Sequence, residues 1–307
     1  MDKKIFKGAL YGLAIGDALG VPAEFKYRDD VRDMNITEMI NRGGIPKGTW
    51  SDDTCMALAT LDAYTKKGDV YKNIMENYID WLANGKYSPL GYAYGTGSCC
   101  YKAITNYMRN NDVKTCGCTG VRENGNGSLM RILPSCFYVN RLDVDLDEKI
   151  KTLETFTSLT HAHPISLMAD VIYYLFLNKL IETKDKEAAF DYIINFNYNK
   201  YFDSETINTY SNILTHDLLK LDDIESKKNG YVVYTIEGVL FSIMKNDNFK
   251  DSVLCAINLG FDSDTLGAIT GSLAGALYGY NDIPKSWIKD LRWKELLDDL
   301  INKFYKC

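Results

Sequence analysis

Gly260-Phe261-Asp262-Ser263-Asp264-Thr265-Leu266-Gly267-Ala268-Ile269-Thr270-Gly271-Ser272-Leu273-Ala274-Gly275-Ala276-Leu277-Tyr278-Gly279 joins an acidic cluster to an uncharged run. As a helix, the run sets Gly267, Gly271, Gly275 and Gly279 on one face. Each glycine costs roughly 1 kcal/mol relative to alanine in a helix, so this row points to very close approach by a neighbouring element. A helix that is apolar all round is buried. Asp262, Asp264 and Thr265 put oxygen side chains at its N-terminus, where backbone N–H groups favour anions. An aspartate N-cap on an ordinary core helix accounts for the same residues, so taken alone the stretch leaves both readings open.

Working outward, residues 4–19 pattern as a helix with Gly8, Gly12 and Gly16 recurring every four positions. Gly-Ala-Leu-Tyr-Gly occurs at both 8–12 and 275–279. The two glycine faces are expected to cross in the core, without implying an internal duplication. Asp17 lies near the end of the first helix, Gly20-Val21-Pro22 ends it, and Glu24 follows on a short loop. Residues 26–48 read as a loop with about one helical turn. Thr49-Trp50-Ser51-Asp52-Asp53-Thr54 then repeats the arrangement of carboxylates ahead of an apolar helix, here running to about Lys66.

The rest of the chain reads as helices at 69–83, 101–109, 128–139 (interrupted by Pro134), 146–159, 164–180, 185–197, 205–219, 231–244, 249–259 and 285–303. Residues 85–100 and 110–126 are loops, and 221–230 is a surface connection. No regular strands of an α/β fold and no Pro/Gly/Ser-rich linker stand out. The expectation is one compact all-α domain over residues 1–307, with function on the helix-to-helix loops.

The 307 residues carry a formal net charge of -6 with both signs interspersed, which disfavours a non-specific grip on nucleic acid. Met1-Asp2-Lys3-Lys4-Ile5 lacks the apolar core of a signal peptide, and the glycine-broken run near the C-terminus is too short for a membrane span. A cytoplasmic, non-membrane, monomeric protein is expected, and the eight cysteines are expected to be free thiols. Cys99-Cys100 and Cys116-Gly117-Cys118 lack the usual zinc spacing, so no structural zinc is expected there. No Walker loop, dinucleotide fingerprint or Gly-x-Ser-x-Gly elbow is present.

Asp52, Asp53, Asp262 and Asp264 would repel strongly if they met in a core without cations. Oxygen-only donors suit magnesium, manganese or calcium, and two such ions can share bridging carboxylates. Two helix caps on opposite sides of the molecule would give the same sequence. His161 and His163 flank Ala162 ahead of Pro164, and His216 is isolated; each reads as a core or pocket histidine, with His161 suited to hydrogen-bond a phosphate or ribose.

Taken together these pieces resemble the ADP-ribosylglycohydrolase family. The matching residues are 12–20 with Glu24, Thr49–Thr54, Asn124-Gly125-Asn126-Gly127-Ser128-Leu129-Met130-Arg131, Thr160-His161 and Gly260–Thr265. The resemblance implies an all-helical fold with a binuclear magnesium or manganese site in a central cleft. It implies Ser51, Asp52 and Asp53 as ligands from one side and Asp262, Asp264 and Thr265 from the other. It implies Glu24 as the catalytic glutamate. Asn126, Gly127 and Ser128 would line the ADP-ribose pocket, with backbone amides of Asn126 and Gly127 facing the ligand, and His161, Gly95 and Gly97 would shape the same cleft.

Members that cleave ADP-ribosyl-arginine carry an Asp-Ile-Gly element where this chain has Gly95-Thr96-Gly97. The missing aspartate is expected to open space beside Tyr92 and Tyr94 and to weaken discrimination for arginine. The implied activity is metal-dependent hydrolysis at C1″ of ADP-ribose attached to protein, nucleic acid or a small molecule. A non-catalytic ADP-ribose-binding or structural protein with the same fold is the alternative.

Overall fold

The computed structural model describes residues 2–215, 217–221, 223–224 and 230–306. His216, Cys307 and most of the 221–230 connection therefore lie outside the described residues. Among the described residues the chain is helical, with only isolated β-bridges at Arg42–Ile45, Cys118–His161 and Gly125–Tyr231.

The two glycine-faced segments form helices Lys3–Gly20 and Ser263–Tyr278, and they pack against each other more extensively than any other pair. A Cβ on Gly16 would lie 1.9 Å from the Gly267 carbonyl oxygen, and one on Gly12 would lie 2.0 Å from that of Gly271. Backbone thus rests on backbone, and any larger residue would push the helices apart. The glycine row is shifted from its expected register. Gly279 is the C-cap, with φ 87 and open space around it, rather than part of the packed face. At the other end Gly20 takes up the row: a Cβ there would meet Asp264 Cα at 2.4 Å. This register sets the C-terminal end of the first helix, with Asp17, against the acidic N-terminus of the second.

Both helices are buried along most of their length, and their apolar side chains join one core cluster that extends to Trp50, Trp81, Phe137, Phe156 and Trp287. Pro164–Thr183 is apolar enough and long enough to cross a membrane; 67% of its most apolar window is buried inside the protein. A helix of that kind is the interior helix of a helical fold.

Several helix bounds differ from the sequence reading for visible reasons. The expected 205–219 helix is three short pieces, Ser204–Thr209, Ser211–Leu214 and Asp217–Lys220. Tyr210 breaks the first from the second by turning fully inward, where its hydroxyl donates to the Ile165 carbonyl at 2.5 Å. The expected 285–303 helix is split into Lys285–Asp290 and Lys294–Phe304. Between them Trp293 is left-handed at φ 50, and the Arg292 N–H bonds the Gly48 carbonyl at 3.0 Å, so the 48 turn draws the chain out of helical geometry. Residues 28–34 form a full helix, Arg28–Met34, rather than a single turn. Ser98–Asn110 begins three residues earlier than expected, which moves Cys99 and Cys100 from a loop into a first helical turn.

Candidate metal and substrate site

Helix Asp52–Ala63 starts where its N-terminal turn meets the end of Lys3–Gly20. Asp17 makes that junction. It is fully buried and accepts hydrogen bonds from the Ser51 N–H at 2.8 Å, the Thr54 N–H at 3.0 Å and the Thr54 hydroxyl at 2.6 Å. A carboxylate from one helix therefore caps the next. One oxygen each from Asp17, Asp53 and Asp264 lies within 4.8 Å of the others. Asp52 and Asp262 complete the cluster electrostatically, since each raises the pKa of at least one neighbouring carboxyl in it.

Every one of these acids is harder to ionise than a free aspartate. Burial is the first cause for all five, and it lifts Asp17 to about 6. Mutual repulsion adds to burial for Asp52, Asp53 and Asp264, which stand well above the usual range. One oxygen, Asp53 Oδ1, is buried without a hydrogen-bond partner. A buried orphan acceptor among converging carboxylates fits a hard divalent cation, which takes oxygen ligands and neutralises the repulsion. The donor set is all oxygen and suits magnesium or manganese.

The cluster forms one side of a cavity of about 550 Å³. Glu24, Asp52, Asp53, Asp262, Asp264 and Thr265 line it, as do Gly95, Gly97, Asn126, Gly127 and His161. The residues that the sequence reading singled out thus meet here from six separate stretches. Ser51 and Ser128 are the exceptions, since neither faces the cavity. Ser51 caps the helix from behind and its hydroxyl donates to Asp53 at 3.0 Å. Ser128 is fully buried on the interior side, near Asp170.

Glu24 is only 7% exposed, and its Oε2 accepts from the Arg42 guanidinium and, at 3.0 Å, from the Tyr94 hydroxyl. Tyr94 is therefore held through its hydroxyl by the glutamate and Arg42. Gly95 is corrected too. It sits at φ 82, and a Cβ there would come within 2.5 Å of Asp52 Oδ1. The glycine does not open space; it lets the backbone pass directly against a carboxylate.

The opposite wall is the 124–127 segment, pinned to residues 230–232 by the Asn126 N–H to the Gly230 carbonyl at 3.0 Å and the Val232 N–H to the Asn124 carbonyl at 3.0 Å. The Asn126 amide is thus already used and does not face a ligand as expected. Its side chain instead reaches the cluster: Nδ2 donates to Asp262 Oδ2 at 2.5 Å and to Thr235 Oγ1 at 2.9 Å. His161 closes this wall; burial, with Arg131 close by, pushes its pKa down to about 3, so the ring is neutral.

Among the thiols, Cys100 is buried with its Sγ toward the Gly127 carbonyl at 3.8 Å, Cys116 donates to the Leu159 carbonyl at 3.3 Å and Cys118 lies against the Cys99 carbonyl at 3.7 Å. Burial pushes Cys118 up to about 12. These are packing thiols held as neutral S–H.

Asp17 and Arg131 are the residues that sequence reasoning passed over. The signal for Asp17 was present: a lone charge within the glycine face of a buried helix needs partners. Arg131 lay inside a quoted motif but was given no role.

A family model described as ADP-ribosylglycohydrolase matches residues 2–307. An ADP-ribosylarginine hydrolase, Tri1, of Serratia proteamaculans is 30% identical over 310 residues, covering 97% of this chain and 78% of the relative. The ADP-ribosyl-[dinitrogen reductase] glycohydrolase of Rhodospirillum rubrum is 29% identical, covering 94% and 90%. A solved structure titled as an ADP-ribosylglycohydrolase-related protein complex superposes with a TM-score of 0.81 at 26% identity, covering 99% of this chain and 98% of that one.

Proposed function

The chain belongs to the ADP-ribosylglycohydrolase family and is a hydrolase, and from that premise we propose that it cleaves the C1″ glycosidic bond of ADP-ribosylated substrates and releases ADP-ribose. The observation that carries this reading is the convergence of Asp53 and Asp264 on a cavity wall, with Asp17 directly behind them and the orphaned Asp53 Oδ1 among them. Asp52, Asp53, Asp262 and Asp264, with the Thr265 hydroxyl, would hold two magnesium or manganese ions, and Ser51 would support Asp53 from behind. Asp17 would set the turn that presents them. When bound, such ions supply Lewis-acid stabilisation of the reacting sugar.

This chain's own residues do the remaining work. Glu24 lines the cavity with Oε2 engaged by Arg42 and Tyr94, which leaves Oε1 to take a proton from the attacking water or return one to the leaving group. The rigid Asn124–Gly127 wall and the neutral His161 orient the nucleotide end. A cavity of about 550 Å³ is of the size that binding sites for molecules of this class have.

The leaving group is proposed from the wall at Gly95. An arginine's guanidinium must be paired with a carboxylate when desolvated. Here Asp52 itself occupies the position against which Gly95 packs, and Glu24 lies in the same cavity. The names of the relatives put ADP-ribosyl-arginine first among candidates. The test is ADP-ribose release from ADP-ribosylated arginine, serine and nucleic acid and from O-acetyl-ADP-ribose, with magnesium and with manganese. Metal-dependent release from at least one supports the reading. Tight ADP-ribose binding with no release from any of them would show a binding protein instead.

A further inference from the structure

Behind His161 lies a chain of hydrogen bonds whose direction is fixed by chemistry. Arg131 is fully buried and can only donate. The two hydrogens on its Nη2 go to the Phe156 carbonyl at 3.2 Å and to Thr160 Oγ1 at 2.7 Å. Thr160 Oγ1 is thereby an acceptor and retains one hydrogen to give. Its other partner among the described residues is His161 Nδ1 at 2.9 Å. A protonated Nδ1 would take the hydroxyl's second lone pair and leave the buried Thr160 hydrogen without an acceptor, so the paired arrangement has Nδ1 bare and, in a neutral ring, the proton on Nε2. That edge of the ring lies beneath the cavity wall: a Cβ on Gly127 would be 3.6 Å from Nε2, and one on Gly125 would be 3.7 Å away.

We propose that Arg131 and Thr160 are positioning residues that lock His161 in the Nε2–H tautomer, so that it offers one uncharged donor to an acceptor oxygen of the substrate. Three features support this. Arg131 is held in place by the Tyr78 ring, 5.3 Å from its guanidinium carbon, and by the Phe156 carbonyl, so the relay starts from a rigid anchor. The His161 backbone N–H is tied to the Thr157 carbonyl at 3.0 Å, so the ring cannot swing away. The ring's neutrality, which burial and Arg131 enforce by lowering its pKa to about 3, keeps the donor unchanged through neutral pH. A charged imidazolium would bind phosphate more strongly, but it would sit beside a buried guanidinium. The relay gives a donor without a second positive charge. Only the identity of the accepting oxygen, a phosphate or ribose oxygen of ADP-ribose, rests on the function proposed above.

The experiment is long-range ¹⁵N–¹H correlation of the imidazoles in the metal-loaded full chain, with the His161 signals assigned by their loss in His161→Gln. The wild type should show a protonated Nε2 and a bare Nδ1 throughout neutral pH. Thr160→Val should lose that preference and weaken ADP-ribose binding by about 3- to 10-fold, the worth of one hydrogen bond, with a smaller change in kcat. Thr160→Ser should restore both tautomer and affinity. A wild-type ring protonated at Nδ1 overturns the proposal without need of any variant. So does a Thr160→Val protein that keeps the Nε2–H tautomer, or one that loses it with no change in affinity. A chain that cleaves no ADP-ribosylated substrate yet shows the expected tautomer would sink the function and leave the relay standing.

Discussion

The acidic cluster on one side of the cavity and the Arg131–Thr160–His161 chain behind the other are both almost wholly buried and both leave polar atoms unpartnered, Asp53 Oδ1 in the first and Arg131 Nε and Nη1 in the second, yet only the first gathers charges of one sign. In the chain, each group found gives a hydrogen to the next, ending on a neutral ring. In the cluster, Asp17 is satisfied by three donors from the 51–54 turn, while burial and neighbouring carboxylates, Asp17 and Asp262 among them, raise Asp52, Asp53 and Asp264, and Asp53 Oδ1 has no partner. A buried like-charge group without partners is costly unless something from outside completes it. The difference is one of charge: the chain sets one cation among neutral groups, whereas the cluster gathers like charges, the arrangement that a divalent cation would relieve.

The largest expected effect comes from breaking the incomplete side. Asp264→Ala should lower metal affinity more than about 100-fold, beyond what loss of an outer partner costs, and abolish metal-dependent turnover while helix content stays. Asp262→Asn should act in the same direction. Thermal stability of the metal-free variants should hold or rise, because a repelling charge has gone, while the gain in Tm on adding metal should disappear. Isothermal calorimetry showing wild-type metal affinity in both variants would remove these residues from the site.

Glu24→Gln comes next. It keeps the acceptor for Arg42 and Tyr94 but cannot transfer a proton, so kcat should fall by about 10²–10⁴ with little change in ADP-ribose affinity. Wild-type turnover in this variant would move proton transfer to another group.

A third expectation sharpens the contrast through pH. The cluster's carboxyls are raised in the folded state, so the stability they contribute is full below the unfolded aspartate value and is lost as pH rises through the folded values. Asp17 passes about 6, and Asp52, Asp53 and Asp264 are held well above the usual aspartate range. With chelator present, Tm should therefore fall as pH rises from the unfolded aspartate value of about 4 to about 6 and above. Saturating magnesium or manganese should flatten or reverse that slope, because cations bind the deprotonated carboxylates. A chelated protein that gains stability over the same interval would contradict the burial of these charges.

How far the sequence disclosed this contrast depends on what each side is made of. The cluster was legible because carboxylates adjacent to apolar runs are rare enough to be noticed at both 52–53 and 262–264, and the glycine rows announced the helix crossing that joins them. The register of that crossing was not legible, because Gly20 and Gly279 look equivalent until the Gly20 backbone meets Asp264 Cα. The role of Gly95 was misread for a similar reason: sequence shows which side chain is missing but not what backbone then approaches. The paired chain left almost no trace. Arg131, Thr160 and His161 lie on two separate stretches, and only the hydrogen-bond directions give them a joint function. Likewise Tyr210 and Gly48, which cut two expected helices, act through contacts with residues far away in sequence.

The smallest effect probes the paired side at its one titrating member. Asp170 is fully buried near Arg131, accepts from the Thr157 hydroxyl at 2.7 Å, and is pushed by burial up to about 7, with Thr157 and Arg131 opposing. The same sign applies as in the cluster: a raised carboxyl stabilises at low pH and loses that contribution as pH rises from the unfolded value to about 7. Asp170→Asn keeps the acceptor and removes the titration. Relative to wild type it should gain stability by on the order of 1 kcal/mol between pH 5 and 7 and then stay level. The amide adds two hydrogens to a buried site, and this tempers the gain at every pH without altering its slope. The decisive feature is insensitivity to metal. Chelator should change the pH slope that arises from the cluster and leave the difference between wild type and Asp170→Asn untouched, because the groups acting on Asp170 are Thr157, Arg131 and Ser128 rather than the cluster's carboxylates. Denaturant unfolding at several pH values, with and without chelator, measures both. A difference that vanished on adding magnesium would mean that the two buried polar regions are one electrostatic unit, and the contrast between a like-charged cluster and a chain of neutral groups around one cation would fail.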